Sequence, residues 1–204
     1  MKHLPQIGGL TLQHLALVGA GLGIALVIAV PLGVFTARTP RYGAPVFGLA
    51  GVVYAIPSLA LLAVAVKYLG LGFWPVVLVL AAYAQFILIR NIAAAIAGVP
   101  AAQIDAAKGL GLSAWQRFAR VEIPLAAPAL LGALRLTTVA LIAIATLGGY
   151  VGAGGLGSEI FFGLQRQYVE ETLAGSIPAA VLAILADAFF RTLERTALKR
   201  TGEA

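Results

Sequence analysis

The sequence predicts an all-α membrane protein of about five transmembrane helices, packed as one bundle with little soluble mass. Three observations lead there. Of 204 residues, 61% are hydrophobic and only 11% charged, whereas a soluble domain carries about 25% charged residues. Uncharged runs occupy residues 4–37, 42–66, 68–89 and 136–158, and each exceeds the roughly 20 residues that cross a bilayer core as a helix. These runs also lack the alternation of polar and apolar residues that a membrane-spanning strand needs, which leaves the helix as the way to satisfy a lipid-exposed backbone.

Taken in order, the apolar runs place helices at 12–36, 44–66, 74–97, 126–147 and 173–190. Pro5, Pro40, Pro45, Pro75 and Pro100 fall near helix ends, where a missing N–H is tolerated. Pro31, Pro57 and Pro178 fall inside or near the ends of spans, where they kink a helix and free a carbonyl. The first apolar run is too long for the core of a cleaved signal, despite the basic Lys2, and reads as the first span. Without cysteine, disulfides, thiol catalysis and cysteine metal sites are excluded.

Basic residues set an orientation. Arg38, Arg41, Lys108, Arg117, Arg120, Arg191, Arg195, Lys199 and Arg200, nine of the 14 Lys and Arg, fall on one side of the proposed spans. Lys2, Lys67 and Arg166 fall on the other. The richer side is expected in the cytoplasm, which puts the N-terminus outside and the C-terminus inside. The net charge of +6 is thereby a topology signal and a contact for anionic lipid rather than a nucleic-acid surface.

Small residues four apart, Gly19 and Gly23, with a further patch at Gly48 and Gly51, let helices approach closely, either within the bundle or at a dimer seam. The 152–157 run matches G-x-G-x-x-G but follows a membrane helix rather than a strand, so it reads as a tight turn and not as a dinucleotide site. Residues 159–168 then form a short amphipathic helix on the outer face, with Ile160, Phe161, Phe162 and Leu164 on its apolar side. No G-x-x-x-x-G-K-[ST] occurs, so ATP does not bind here through a P-loop. His3 and His14 have no companion ligands, and His14 is expected at an interfacial or bundle-facing position. Arg90, Arg135 and Asp187 lie near expected cytoplasmic span ends, where long side chains snorkel, and Asp187 can pair with Arg191 one turn on. Their expected roles are structural or at an interface.

The polar interruption at about 101–124 is the most informative segment. It reads as a short helix, a turn at Gly109-Leu110-Gly111, and a second helix with Ser113 as N-cap. Ala106 and Ala107 leave a flat surface for another protein, and Gly111 lets the chain turn. Leu112, Trp115 and Phe118 form an apolar face at helical spacing. Pro124 is expected to stop the segment and Pro128 to sit in the first turn of the next span. Either a docking element or an amphipathic loop resting on the membrane fits these residues.

The segment resembles the coupling motif of ABC-importer permeases, E-A-A-x3-G-x9-I-x-L-P. Asp105-Ala106-Ala107 takes the E-A-A place, Gly111 the glycine, and Val121, Ile123 and Pro124 the I-x-L-P places. Thr11-Leu12-Gln13-His14-Leu15, Pro31-Leu32-Gly33, Ile56-Pro57-Ser58-Leu59-Ala60-Leu61-Leu62, Ile89-Arg90-Asn91 and the 152–157 run look like the permeases of osmoprotectant importers for glycine betaine, choline or carnitine. Methionine-type permeases share the coupling motif and a similar glycine run. Where Gln-Thr often precedes Ile-Pro-Ser in the osmoprotectant family, Tyr54-Ala55 stands here.

The resemblance implies a type I ABC-importer permease fold, with residues 1–204 as a single transmembrane permease domain and no cofactor in this chain. ATP and Mg would be bound by partner cytoplasmic ATPase subunits, each receiving a coupling helix. A second permease subunit, identical or a close paralogue, would share the path, and an extracytoplasmic binding protein would deliver the solute. Asp105, Ala106, Ala107, Gly111, Ile123 and Pro124 would couple to the ATPase. Tyr54, Ser58 and Gln85, polar or aromatic residues on the middle spans, are candidate path residues, since an aromatic face attracts a quaternary ammonium. Tyr54 as an ordinary bundle residue and Ser58 as partner of a carbonyl freed by Pro57 is the alternative. A non-transporting scaffold or small channel is the rival class, and an intramembrane enzyme has no cluster of acids or histidines to support it.

Overall fold

The computed structural model describes residues 4–201. Lys2 and His3 lie outside them, as does the side chain of Arg200. The described residues form helices and turns, with no strand among them. The long helices are α1 (Leu4–Arg38), α4 (Phe73–Ala97), α7 (Ile123–Ala145) and α9 (Val169–Thr201). Shorter ones are α2 (Gly43–Ala55), α3 (Ser58–Leu69), α5 (Ala101–Gly109), α6 (Ala114–Arg117) and α8 (Gly157–Arg166).

Helix α4 is the hub. Of its apolar window 61% is buried, against 11% for that of α9, because α1, α2, α3 and α7 all pack on it. Small residues on α1 make this possible. A Cβ on Gly21 would stand 2.7 Å from Leu80 Cβ, and one on Gly33 would stand 2.6 Å from Ile92 Cγ2. Ala25 and Ala29, between them, are fully buried. The stripe of Gly21, Ala25, Ala29 and Gly33 therefore seats α1 against α4 at backbone distance, as small residues four apart do in membranes. Gly19 and Gly23 do not serve in the bundle, since nothing lies within 4 Å of a Cβ at either. Helix α9 packs on α7 and α8.

The bundle has two ends. At one, Arg38 meets Glu122, with the 101–124 segment beside them. At the other, Gly72 N–H donates to Val151 O at 2.9 Å, Gly155 N–H donates to Gln13 Oε1 at 3.0 Å, and Gln6 donates to Glu159 at 3.0 Å. The α2–α3 pair starts at the first end and finishes at the second, so it crosses the bundle as one unit and gives the fifth crossing.

Several boundaries differ from expectation. Span two is broken: α2 and α3 meet at 88°. Ile56 stands before proline and is extended, φ −67° and ψ 129°, as steric clash with the ring requires. Its carbonyl accepts from the Tyr83 hydroxyl, so Tyr83 rather than Ser58 fills the place that the break leaves open. Pro31 and Pro178 sit inside unbroken helices. Pro124 does not stop the interfacial segment; it occupies the first turn of α7, and Pro128 lies inside that helix rather than at its start. The outer helix runs Gly157–Arg166, slightly earlier than expected.

Candidate functional site

The 101–124 segment is built from locally satisfied parts. Pro100 precedes α5, and α5 ends where Gly111 adopts φ +75°, a conformation costly for any residue with a Cβ. Gly111 N–H donates to Lys108 O at 2.9 Å and Leu112 N–H to Ala107 O at 3.1 Å, closing the helix end. Ser113 then caps α6 through a full capping box. Gln116 N–H donates to Ser113 Oγ, and Ser113 N–H donates to Gln116 Oε1. Arg117 Nη1 donates to Leu112 O at 3.2 Å and pins the turn to the helix that follows it.

The expected coupling residues divide. Asp105 is exposed and paired with Lys108 at 2.8 Å. Ala106 is exposed, but Ala107 is 4% exposed and faces inward, so the flat surface is one alanine and not two. The expected face of Leu112, Trp115 and Phe118 also divides. Trp115 is 72% and Leu110 80% exposed, whereas Phe118 turns inward and lines, with Ile123, Leu26, Val34 and Leu134, an apolar cavity of about 170 Å³ between α1, α4 and α7. The two rings stay in contact, with centroids 5.8 Å apart.

Between α6 and α7 the chain does not break. Residues Phe118–Glu122 form a single π-helical turn, closed by Ile123 N–H to Phe118 O. The helical path is thus continuous from Ala114 to Val151. The wider register absorbs one extra residue where Pro124 lacks its donor.

Sequence reasoning missed Glu122. It is 1% exposed, and its Oε2 accepts from Arg38 Nη2 at 2.5 Å, tying the end of α1 to the π turn. The signal was present: a lone acid bordering an apolar run requires a partner, and Arg38 flanks the first span. Arg135 has the structural role expected of it, with partners that the sequence did not name. It lies within α7 and pairs across to α9, with Asp187 at 3.2 Å and Glu194 at 3.4 Å. The pair Asp187–Arg191 forms one turn apart as expected.

Of the candidate path residues, Tyr54 is 40% exposed at the end of α2, stacked on Phe86 at 4.8 Å and tilted against Tyr83 at 5.5 Å. Ser58 starts α3 just beyond the break and is half-buried. Gln85 shares an apolar cavity with Ala50 and Val53 of α2. Its amide donates to Ala81 O at 3.0 Å and Ala25 O at 3.3 Å, holding α4 to α1. His14 is buried in the bundle with Nε2 3.0 Å from Ile142 O, and the described residues hold no cluster that could bind a metal.

Four long apolar helices, α4 among them as the hub, and the bent α2–α3 pair, with a capped polar segment at one end, have the architecture of a transporter's membrane subunit. Residues 29–199 match the family described as "Binding-protein-dependent transport system inner membrane component", and the chain belongs to that family. It is 37% identical to the glycine betaine/carnitine/choline transport system permease protein OpuCB of Bacillus subtilis, over 89% of this chain and 83% of the relative. It is 34% identical to the choline transport system permease protein OpuBB of the same organism, over 91% of this chain and 85% of the relative. It is 33% identical to the osmoprotectant import permease protein OsmW of Salmonella typhimurium, over 92% of this chain and 90% of the relative. The fold matches a chain of the MetNI methionine ABC transporter in an inward-facing conformation, with a TM-score of 0.78 at 22% identity, covering 91% of this chain and 93% of that one. The chain is therefore a multi-pass inner-membrane permease component of an ABC transporter, with the type I importer permease fold, and a transport subunit rather than an ATPase.

Proposed function

We propose that this chain forms the translocation path of an ATP-driven importer for a quaternary-amine osmoprotectant such as glycine betaine, choline or carnitine. The cargoes for which the relatives are named support the cargo class. The observation that carries the mechanism is the unbroken helix from Ala114 to Val151: whatever moves α6 moves a membrane-spanning helix with it. Cytoplasmic ATPase subunits, which bind ATP and Mg, receive α5 and α6. Trp115 and Leu110 supply the apolar contact, Asp105 the charge, and Ala106, with Ala107 packed beneath it, the close approach. Gly111 sets the shape of the turn, and Ile123 and Pro124 start the driven helix. In this reading the 101–124 end and the C-terminus lie in the cytoplasm, and the excess of Lys and Arg at that end supports it.

The chain has no hydrolytic role of its own in this scheme. A second permease subunit completes the path, and a binding protein delivers cargo on the outer face, where the turn of residues 152–157 and α8 lie. Residues 1–204 act as one permease domain. Tyr54 and Ser58 flank the path at the α2–α3 break, and Gln85 braces the wall behind them.

The test is uptake into proteoliposomes holding this chain with its ATPase and binding protein, using labelled betaine, choline, carnitine and methionine. ATP-dependent uptake of a quaternary amine is expected. Uptake of methionine alone would replace the cargo assignment, and no ATP-dependent uptake would favour a scaffold or channel. Replacing Gly111 with leucine forces a side chain into φ +75° and is expected to abolish binding-protein-stimulated ATP hydrolysis while the chain still inserts.

A further inference from the structure

The Arg38–Glu122 pair has no part in the scheme above, yet it is the buried charge nearest the driven helix. Glu122 sits in the π turn, inside the unbroken helix, and 2% of its side chain is exposed against 46% of that of Arg38. One carboxylate oxygen is held by Arg38 at 2.5 Å. The other, Oε1, is buried without a hydrogen-bond partner. A carboxylate so placed depends on its one cation, because removing that partner strands a charge away from water. The Arg38 guanidinium also lies 5.9 Å from the centre of the Phe118 ring. Arg38 thus grips the π turn at both its first and last residues. Arg38 is the last residue of α1, and α1 is seated on α4 by the Gly21–Gly33 stripe. Above the grip, the apolar cavity of about 170 Å³ leaves Phe118 and Ile123 room to shift between α1 and α7.

We propose that Arg38 and Glu122 form a latch that makes α1 move with the coupling segment, so that force entering at α6 is delivered to two spans, α7 directly and α1 through the ion pair. Glu122 is a positioning residue in this role: it touches neither ATP nor cargo, and it sets how much of the α6 movement reaches the path. A π turn without a latch could relax its extra residue under load, and α7 would then slide past α1. The latch rests on the importer reading given above, and the two can fail separately.

The test uses the complete importer in proteoliposomes. The chain has no cysteine, so spin labels go only where cysteines are introduced. Arg41→Cys and Ala119→Cys, both at exposed positions, flank the latch on its two sides. With one labelled permease per complex, the 41–119 distance is expected to be the same at rest and after trapping with ATP and vanadate. In Glu122→Gln the trapped distance is expected to shift, and cargo moved per ATP hydrolysed to fall about tenfold, within the range of measured coupling between sites. Arg38→Lys, which keeps the charge, is expected to retain most of that ratio. A merely packing role would lower complex yield, uptake and hydrolysis together at a constant ratio, and that result overturns the latch. So does a parental distance that changes on trapping, a measurement that needs no latch variant to fold. If Gly111→Leu loses stimulated hydrolysis while Glu122→Gln matches the parent in ratio and distance, the latch fails and the importer reading stands. If the parental complex shows no ATP-dependent uptake, the importer reading fails first.

Discussion

Two of the prolines along the membrane path of this chain, Pro57 and Pro124, do opposite things. At Pro57 the helix ends, the chain turns through 88°, and a new helix begins. At Pro124 the helix runs on, from Ala114 to Val151. The difference lies in what precedes the ring. Ile56 goes extended, and its carbonyl finds the Tyr83 hydroxyl across the bundle, so the break is stabilised from outside the helix. Before Pro124 the backbone widens into the π turn Phe118–Glu122, so the missing donor is absorbed within the helix. One junction is a bend held by a neighbour; the other is a rod. In the importer reading proposed above, the rod carries movement in from the 101–124 segment, and the bend gives an irregular wall where the backbone can face a path.

The largest effect is expected where the rod is cut. Ala119 is exposed within the π turn, so Ala119→Pro removes no packing and acts on the backbone alone. A proline there loses a helical hydrogen bond and collides with the preceding turn, at a cost of about 3 kcal/mol or more. Uptake is expected to vanish while binding to the ATPase persists, measured by co-purification and by labelled cargo in proteoliposomes. Full uptake in Ala119→Pro would show that continuity does not matter, and would erase the contrast with Pro57.

The all-helical membrane fold and the helix–turn–helix shape of residues 101–124 were legible because long uncharged runs and closely spaced capping and turn residues are one-dimensional signals. Ser113, Gly111 and the Asp187–Arg191 pair could be read for the same reason: capping, positive φ and i,i+4 contact are local. What could not be read depends on which face of a helix meets which neighbour. Gly19 and Gly23 have the right spacing, but so do Gly21, Ala25, Ala29 and Gly33, and only the second set faces α4. Spacing does not say which of two stripes turns inward. Arg38 and Glu122 are 84 positions apart, so each looked like an ordinary flanking charge until the fold joined them. The two prolines show the same limit. Pro57 and Pro124 carry equal local warnings, and the outcome rests on a tyrosine from another helix and on a change of helical register.

A smaller effect tests the bend. Tyr83→Phe keeps the ring, and with it the contact to Tyr54 at 5.5 Å, but takes the hydroxyl from the Ile56 carbonyl. The acceptor is only part-buried, so losing its donor is expected to cost about 1 kcal/mol, the low end for an unsatisfied group, and the melting temperature of the purified complex in detergent is expected to fall accordingly. If the bend shapes the path, the apparent KM for cargo rises as well. An unchanged melting temperature would mean that water or the neighbouring backbone takes over the carbonyl, and that the bend needs no neighbour.

The smallest expected effect separates the rod from its tip. Ser113 caps α6 reciprocally with Gln116 at the free end of the Ala114–Val151 path, so the cap holds the first turn of the rod. Ser113→Ala removes the side-chain acceptor and leaves Gln116 N–H open, at a typical cost of about 1 kcal/mol. The capped residues are exposed, and α7 begins ten positions later, so global stability is expected to stay within experimental error. The loss should appear instead as weaker stimulation of ATP hydrolysis by the loaded binding protein, by up to about fivefold, the equivalent of that free energy. Asn at the same position caps as well as Ser, so Ser113→Asn is expected to restore stimulation. A cap that matters for coupling but not for stability would mean that α6 must be a formed helix when the ATPase grips it, and that the rod is only as useful as its tip is ordered.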